Sequence, residues 1–412
     1  MRLAAVSSPT RLLPARSASS FADHVARYGP LPGGRRADLL AAIEESGLTG
    51  RGGGGFPTAR KLAAVARAER SVVVANGTEG EPASHKDKAL MTTNPHLVLD
   101  GVLVAAGLVG ASEAIVAVAR DDRASRRELE TAFAQRTSRS AASIRIEAVP
   151  DRFVAGEESA LVAWLNGGDA RPTVTPPRPS ERGVGGRPTL VQNVETLANL
   201  ALVVRFGAAW FRDGESVLVT VGGAVRTPGV VEVALGTPLE DVLGRCGGAT
   251  EPLQAFLVGG YFGSWIPADG NLDLPLSSDA LAPLGASLGA RTLIALPRSA
   301  CGVRETARAV AYLAGESAGQ CGPCVFGLRA VAQCLETIVR GGADARAALD
   351  RLPRLQAQIV GRGACAHPDG ALKLVESALR VFAPEIRRHV DGVCTESRPT
   401  SLPVRASNGE WR

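Results

Sequence analysis

Two cysteines in one tight turn, answered far downstream by a third, constrain this chain more than any other feature. The turn reads Cys321-Gly322-Pro323-Cys324, and the third thiol is Cys365. Thiolates three residues apart can grip one metal centre from a single turn, which Pro323 stiffens. Helical patterns at 325–340 and 344–360 lie between the pair and Cys365. The first runs away from Cys324 and the second returns, so Cys365 is expected back at the same end of a bundle. A Cys-x-x-Cys also fits zinc or a redox disulfide. Tetrahedral zinc wants four ligands and there is no second pair, so the spacing favours an iron–sulfur cluster.

At 412 residues the chain exceeds what one hydrophobic core serves, and two or three domains are expected. Apolar residues make up 45% and charged residues 21%, values of an ordinary globular protein. The 46 basic residues include only Lys61, Lys86, Lys88 and Lys373 as lysines, so the excess is arginine. No arginine stripe is interleaved with aromatics, which argues against nucleic-acid binding. Seven cysteines without disulfide-framework spacing suit a reducing compartment and metal ligation. No apolar run is long enough to span a membrane, and residues 1–20 lack an apolar core of the secretory kind.

Alternation dominates the first half. Helices are expected at 36–46, from about Ala59, at Leu97–Leu108 and Arg123–Gln135. Strands are expected at Ser71–Asn76, Ala114–Ala119 and Ile144–Val149, with a polar loop over 76–88. This pattern predicts an α/β domain with a largely parallel sheet. After about 215 the chain changes character. Strands at 217–223 and 229–233 flank a hairpin turn, a short helix follows at 238–246, and strands at 256–258 and 292–295 complete a small α+β module. Helices at 303–314, 325–340, 344–360 and 371–389 form an all-α third part. The expected divisions are an N-terminal extension (1–30), the α/β domain (31–215), the small module (216–298), the helical domain (299–394) and a polar tail (395–412).

Two loops carry further chemistry. Gly52-Gly53-Gly54-Gly55 lies between Arg51 and Phe56, letting backbone pass close to a ligand and present consecutive N–H groups to an anion. Arg51 and Lys61 are the expected flanking charges. The loop matches neither the phosphate-loop pattern nor the dinucleotide fingerprint. Asn76-Gly77-Thr78-Glu79-Gly80-Glu81 follows a buried strand, where α/β proteins place ligand chemistry. Glu79 and Glu81 could bond ribityl or ribose hydroxyls, or form a solvated acidic turn. Glu157 and Glu158 open a helix, where a carboxylate also favours the helix dipole. Gln192-Asn193-Val194-Glu195-Thr196 is a helix entry or a source of amides for a flavin ring.

Taken in order, these strings resemble the flavin-carrying, NADH-oxidising subunit of respiratory complex I and its relatives in NAD-dependent hydrogenases and formate dehydrogenases. The resemblance runs from about Gly47 to about Leu379. It implies an FMN-binding α/β domain, a β-grasp-like SLBB domain and a helical domain with a 4Fe-4S cluster. Gly50, Arg51, Gly52, Gly53, Gly55 and Lys61 match the FMN loop, and Phe56 an aromatic on the adenine side. Asn76, Glu79 and Glu81 match the glutamate loop. Glu157 and Glu158 match the acidic pair beside the nicotinamide, and Asn193 and Thr196 the string under the flavin. Glu79, Glu81 and Glu158 are the catalytic candidates, and Cys321, Cys324 and Cys365 the metal ligands.

The departures fall mostly on the NAD side and at the cluster. Ala318 stands at the family's first cysteine, Phe153 at a tyrosine, Ala64 at an adenine-stacking aromatic, Thr175 at a lysine and Thr78 at an acidic residue. Three cysteines leave a 4Fe-4S cluster with an open iron site, a 3Fe-4S cluster or no cluster, with His367 the nearest further donor and Cys301 at the far end of a helix. Cys246 and Cys334 read as core residues. The resemblance implies an oxidoreductase of the NADH dehydrogenase type, carrying electrons from NADH or a similar donor through FMN and the cluster to a ferredoxin or iron–sulfur subunit. A scaffold subunit without NADH oxidation is the alternative. The expected setting is cytoplasmic, in a multi-subunit complex and peripheral to any membrane.

Overall fold

The computed structural model describes residues 10–14, 20–67, 70–136, 142–394, 402–404 and 410–412. The first half builds a four-stranded parallel sheet in the order β3-β2-β1-β4, from β1 (Val72–Gly77), β2 (Glu113–Ala119), β3 (Ser143–Val149) and β4 (Thr189–Asn193). β1 is buried from Val72 to Ala75, as a central strand covered on both faces must be. On one face the apolar helix Pro95–Val109 packs against helix Val194–Phe206. Their approach depends on Gly101, where a Cβ would sit 2.0 Å from the Leu197 carbonyl oxygen. Helix Glu158–Leu165 contributes to the other face, where Leu161 joins Val72, Val74 and Val191.

A second sheet, ordered β6-β5-β9-β7-β8, comprises β5 (Ser216–Gly223), β6 (Gly229–Ala234), β7 (Leu253–Val258), β8 (Ser264–Pro267) and β9 (Thr292–Pro297). β5 pairs antiparallel with β6 and parallel with β9, the mixed arrangement of a β-grasp-like module. Beyond it lie the helices Gly302–Gly315, Arg329–Arg340, Ala343–Ile359, His367–Val381 and Ala383–Val390. They share one core with Leu257, Trp265 and Leu296 of the second sheet.

Three sequence expectations change. The loop expected to reach Lys88 already turns into a helix at Lys86 (Lys86–Thr93), because Glu79 caps its open N–H groups. The single helix expected over 371–389 is two, parted at Phe382 just before Pro384. β4 and β8 are additional: at five and four residues they are too short for a periodic signal. Described residues near both ends of the chain also pack on the body. Backbone N–H groups of Arg11, Leu12 and Leu13 donate to Glu232, and Leu402 is buried.

No single described helix is long and apolar enough to cross a membrane. Helices Lys86–Thr93 and Pro95–Val109 would pass together, but they bend by 97° and the second is largely buried in the core.

Candidate functional site

The glycine loop is held from behind. Gly50 N–H donates to the Phe56 carbonyl and Thr58 N–H to that of Leu48, both at 2.9 Å, so the loop is closed at its base. Arg51 N–H donates to Thr196 Oγ1 at 2.8 Å, and its buried guanidinium pairs with Glu215. Arg291 donates to the Arg51 carbonyl at 2.5 Å. With Arg51 and Thr196 turned inward, Gly52, Gly53 and Gly54 line a cavity of about 510 Å³.

All three parts of the chain reach this cavity. The α/β domain supplies the glycines, Asn76, Glu79, Glu81, Glu157 and Asn193. The β-grasp module adds Gly259, Phe262, Ser287 and Gly289, and the helical part adds Cys365, Ala366 and His367. Side chains are excluded at two points of the cavity wall, one within the α/β domain and one within the β-grasp module. A Cβ on Gly80 would lie 2.6 Å from the Phe153 carbonyl oxygen, and one on Gly289 would lie 2.4 Å from that of Gly259.

The carboxylates around the cavity are mostly engaged. Glu79, at a positive φ of 43°, accepts from Ser84 Oγ (2.6 Å), Asp87 N–H (3.1 Å) and Lys88 N–H (3.0 Å). Glu81 accepts from Tyr261 N–H at 2.8 Å, tying the acidic loop to the β-grasp module. Glu157 caps its helix by accepting from Ser159 and Ala160 N–H, and Glu158 pairs with Lys61 at 2.6 Å. Asn76 Nδ2 donates to the Gly156 carbonyl and Asn193 Nδ2 to Asp87, both at 2.7 Å. Gly50, Arg51, Gly55, Phe56, Lys61, Glu158 and Thr196 therefore stand behind or beside the cavity, whereas Gly52, Gly53, Asn76, Glu79, Glu81, Glu157 and Asn193 line it.

Lys86 and Asp87 also line the cavity, and they belong to a buried charge cluster that the sequence does not announce. Buried Lys86 Nζ lies 2.7 Å from Asp87 and 2.9 Å from Glu195, with Arg291 close by. Burial alone would lower the Lys86 pKa, but the two carboxylates reverse this and hold it above the usual lysine value. Burial would likewise raise Glu195, yet Lys86, Arg291 and Arg51 bring it below the usual carboxylate range. Burial pushes Asp87 up. Lys86 was hidden in a stretch that reads as polar loop, although a lysine among so few was itself a signal.

The three cysteines meet. Cys321, Cys324 and Cys365 line a second cavity with Ala318, Val154 and His367. Burial pushes the Cys324 thiol up to about 12, with Cys321 and Cys365 adding to it, and burial also raises Cys365. Val154, Cys365 and His367 line both cavities, so one layer of side chains separates them. His367 is buried, its Nε2 lies 2.8 Å from the Leu313 carbonyl, and its ring meets Phe153 and Phe262 edge-on at 5.6 and 5.5 Å. Cys301 belongs elsewhere, 3.1 Å from His389 Nε2 at the opposite end of helix Gly302–Gly315. Cys246 and Cys334 are core residues.

Comparison with known proteins agrees with this arrangement. Residues 43–202 match the Nuo51 FMN-binding domain, 218–260 the SLBB domain, and 304–389 the NADH-ubiquinone oxidoreductase-F iron-sulfur binding region. The second F-type subunit of NADH-quinone oxidoreductase in Rhizobium meliloti (strain 1021) is 31% identical over 376 residues, covering 86% of this chain and 89% of that protein. The chain belongs to the NADH-quinone oxidoreductase F family. The F-type subunit of Mycobacterium bovis (strain ATCC BAA-935 / AF2122/97) is also 31% identical, covering 86% of this chain and 85% of its own length. Among solved structures, NAD+-reducing [NiFe]-hydrogenase in the H2-reduced state superimposes with a TM-score of 0.81 at 30% identity. That match takes in 86% of this chain and spans 63% of the hydrogenase chain.

The residues present fit both cofactors of that family. The main cavity lies within the usual size range of cofactor sites, and its glycine wall leaves backbone N–H groups and a flat face free of Cβ atoms. The second cavity offers three soft thiol donors to an iron–sulfur cluster, and Ala318 presents a methyl group where the family has a fourth sulfur. This chain is an FMN and iron–sulfur electron-transfer protein by family.

Proposed function

We propose that this chain oxidises a reduced nicotinamide nucleotide at the glycine-lined cavity and delivers the electrons, one at a time, through its cysteine-ligated cluster to an iron–sulfur partner subunit. The observation that carries the reading is the shared wall: Val154, Cys365 and His367 face both the cavity and the cysteine trio. Bound FMN supplies the conversion of a two-electron hydride donor into single electrons, and the cluster accepts them. The chain's residues do the positioning. Gly52, Gly53 and Gly54 give N–H donors and close approach, while Asn76, Asn193 and Glu157 set polar contacts around the ring and ribityl chain. Cys321, Cys324 and Cys365 hold the cluster.

The NAD side is expected to be weak. Ala64 and Thr175 are both exposed and offer neither an aromatic face nor a cation. Stacking and charge-assisted bonds are worth about 1–3 kcal/mol each, so their loss lowers affinity by one or more orders of magnitude.

Anaerobic purification with flavin and iron analysis, followed by stopped-flow titration with NADH, tests the proposal. The expected result is stoichiometric FMN, bound iron, and flavin bleaching that needs high NADH concentration, with the cluster reduced afterwards. A flavin and cluster that reduce independently of each other, or a protein that binds neither, would overturn it.

A further inference from the structure

At the end of the helical domain remote from the flavin, Cys301, His389 and Cys394 bring two sulfurs and an imidazole nitrogen within 4.8 Å of one another. We infer that these three residues form a second metal site, for a thiophilic divalent cation of the zinc type. It lies apart from the cluster. Cys301 precedes the first residue of helix Gly302–Gly315 and Ala318 follows its last turn, a separation of about 20 Å at 1.5 Å per residue.

The geometry is built from three segments. Cys301 caps its helix, its sulfur accepting from Arg304 N–H at 3.3 Å. His389 sits in the last turn of helix Ala383–Val390. Beyond it, Gly392 at a φ of 78° folds the chain back, with Val393 N–H donating to the Arg388 carbonyl at 2.8 Å, and this return delivers Cys394. Gly341 lets the turn lie close, since a Cβ there would be 2.7 Å from the His389 carbonyl oxygen.

The histidine is oriented as a ligand. Its Nδ1 lies 3.1 Å from the Val339 carbonyl oxygen, so Nδ1 carries the proton and the Nε2 lone pair faces the Cys301 sulfur at 3.1 Å. A backbone carbonyl that fixes the tautomer in this way is the usual outer partner of a metal-bound imidazole. Two thiolates and one imidazole select zinc over magnesium or calcium. The fourth position is left to solvent, which reaches exposed Cys394, or to the buried Glu385 carboxylate beside Cys301.

Binding exchanges bonds in a balanced way. Each cysteine S–H is replaced by a sulfur–metal bond, and the two protons pass to buffer with no change of oxidation state. The ion would join the start of one helix, the end of another and the root of the C-terminal segment.

The test uses the full-length, anaerobically purified chain equilibrated with zinc chloride and then freed of loose metal. Elemental analysis is expected to give one zinc per chain in the wild type. Zinc should be lost in Cys394→Ser and in His389→Gln, with iron and flavin unchanged, and retained in Cys321→Ser. Cys394 is exposed, so its variant folds even if a change at buried Cys301 does not. X-ray absorption at the zinc edge should show two sulfur neighbours. Undiminished zinc in Cys394→Ser, zinc lost only in Cys321→Ser, no zinc in the wild type, or a Cys301–Cys394 disulfide in the anaerobic protein would each overturn the site.

Discussion

Arg152 Nε donates to Glu316 Oε2 at 2.9 Å, with both side chains buried, and the same oxygen accepts from Phe153 N–H. The pair pins the strand-end loop of the α/β domain to the segment just before Ala318 and the cysteine turn. Removing one partner of a buried pair leaves the other uncompensated, at a cost of about 3–5 kcal/mol. Arg152→Ala should therefore lower the urea midpoint and speed iron release to a chelator. Glu316→Gln, which keeps an acceptor for Phe153, should do less. Equal iron-release rates in Arg152→Ala and wild type would separate this contact from the cluster.

Gly53 holds a φ of 106°, and a Cβ there would face the Gly289 backbone at 3.7 Å. A β-branched residue there meets both backbone strain, worth about 1–2 kcal/mol, and a narrowed cavity. Gly53→Val is expected to lose FMN while keeping its iron and its helical circular dichroism. Full flavin retention would show that the loop is not the FMN cradle.

Ala318→Cys restores a sulfur to the cysteine cavity, which Ala318 lines. The variant should bind more iron per chain than wild type and lose it more slowly in air. Cys365→Ser should lose iron, whereas Cys334→Ser, in the helix core, should not. Identical iron content and air sensitivity in Ala318→Cys and wild type would mean the fourth corner is already filled by another donor.

Lys86 neutralises two buried carboxylates at once. Lys86→Met should destabilise the chain by about 3–5 kcal/mol. Adding Glu195→Gln should recover part of that loss, because one orphaned charge disappears. Chemical denaturation of the two variants decides this, and a double variant less stable than the single would contradict it.

Burial and nearby Arg136 push His96 down to about 4, well below its unfolded value of about 6.5. As pH falls through that interval the unfolded chain takes up a proton before the folded one does. Stability is therefore lost between about pH 6.5 and 4 and levels off below for this group. Asp100 acts in a lower window. Burial would raise it, but the His24 hydrogen bond, Arg136 and Arg205 bring it to about 2, so its contribution persists above the ordinary aspartate range and fades towards pH 2. His96→Gln should flatten the pH dependence of the melting temperature between 6.5 and 4. An unchanged slope would place the acid sensitivity elsewhere.

The succession of elements and the chemistry on offer are legible in the order of residues. Alternating β-branched runs and amphipathic stretches dictated a parallel sheet, because strand burial leaves a local, periodic mark. The glycine run and the Cys-x-x-Cys turn announced close backbone approach and soft-metal ligation, since those properties reside in the residues themselves. The motif order likewise carried the family resemblance. Which charged residues face the cavity depends on how distant segments fold together. Arg51 and Lys61 stand next to the glycines in sequence, yet Arg51 turns inward to Glu215 and Lys61 pairs with Glu158. Lys86 forms its ion pairs with Asp87 beside it and Glu195 far along the chain. Cys301, His389 and Cys394 likewise meet through the return of helices whose ends have no common sequence signal. The physical reason is that burial and charge pairing depend on distances between segments, which no local pattern encodes.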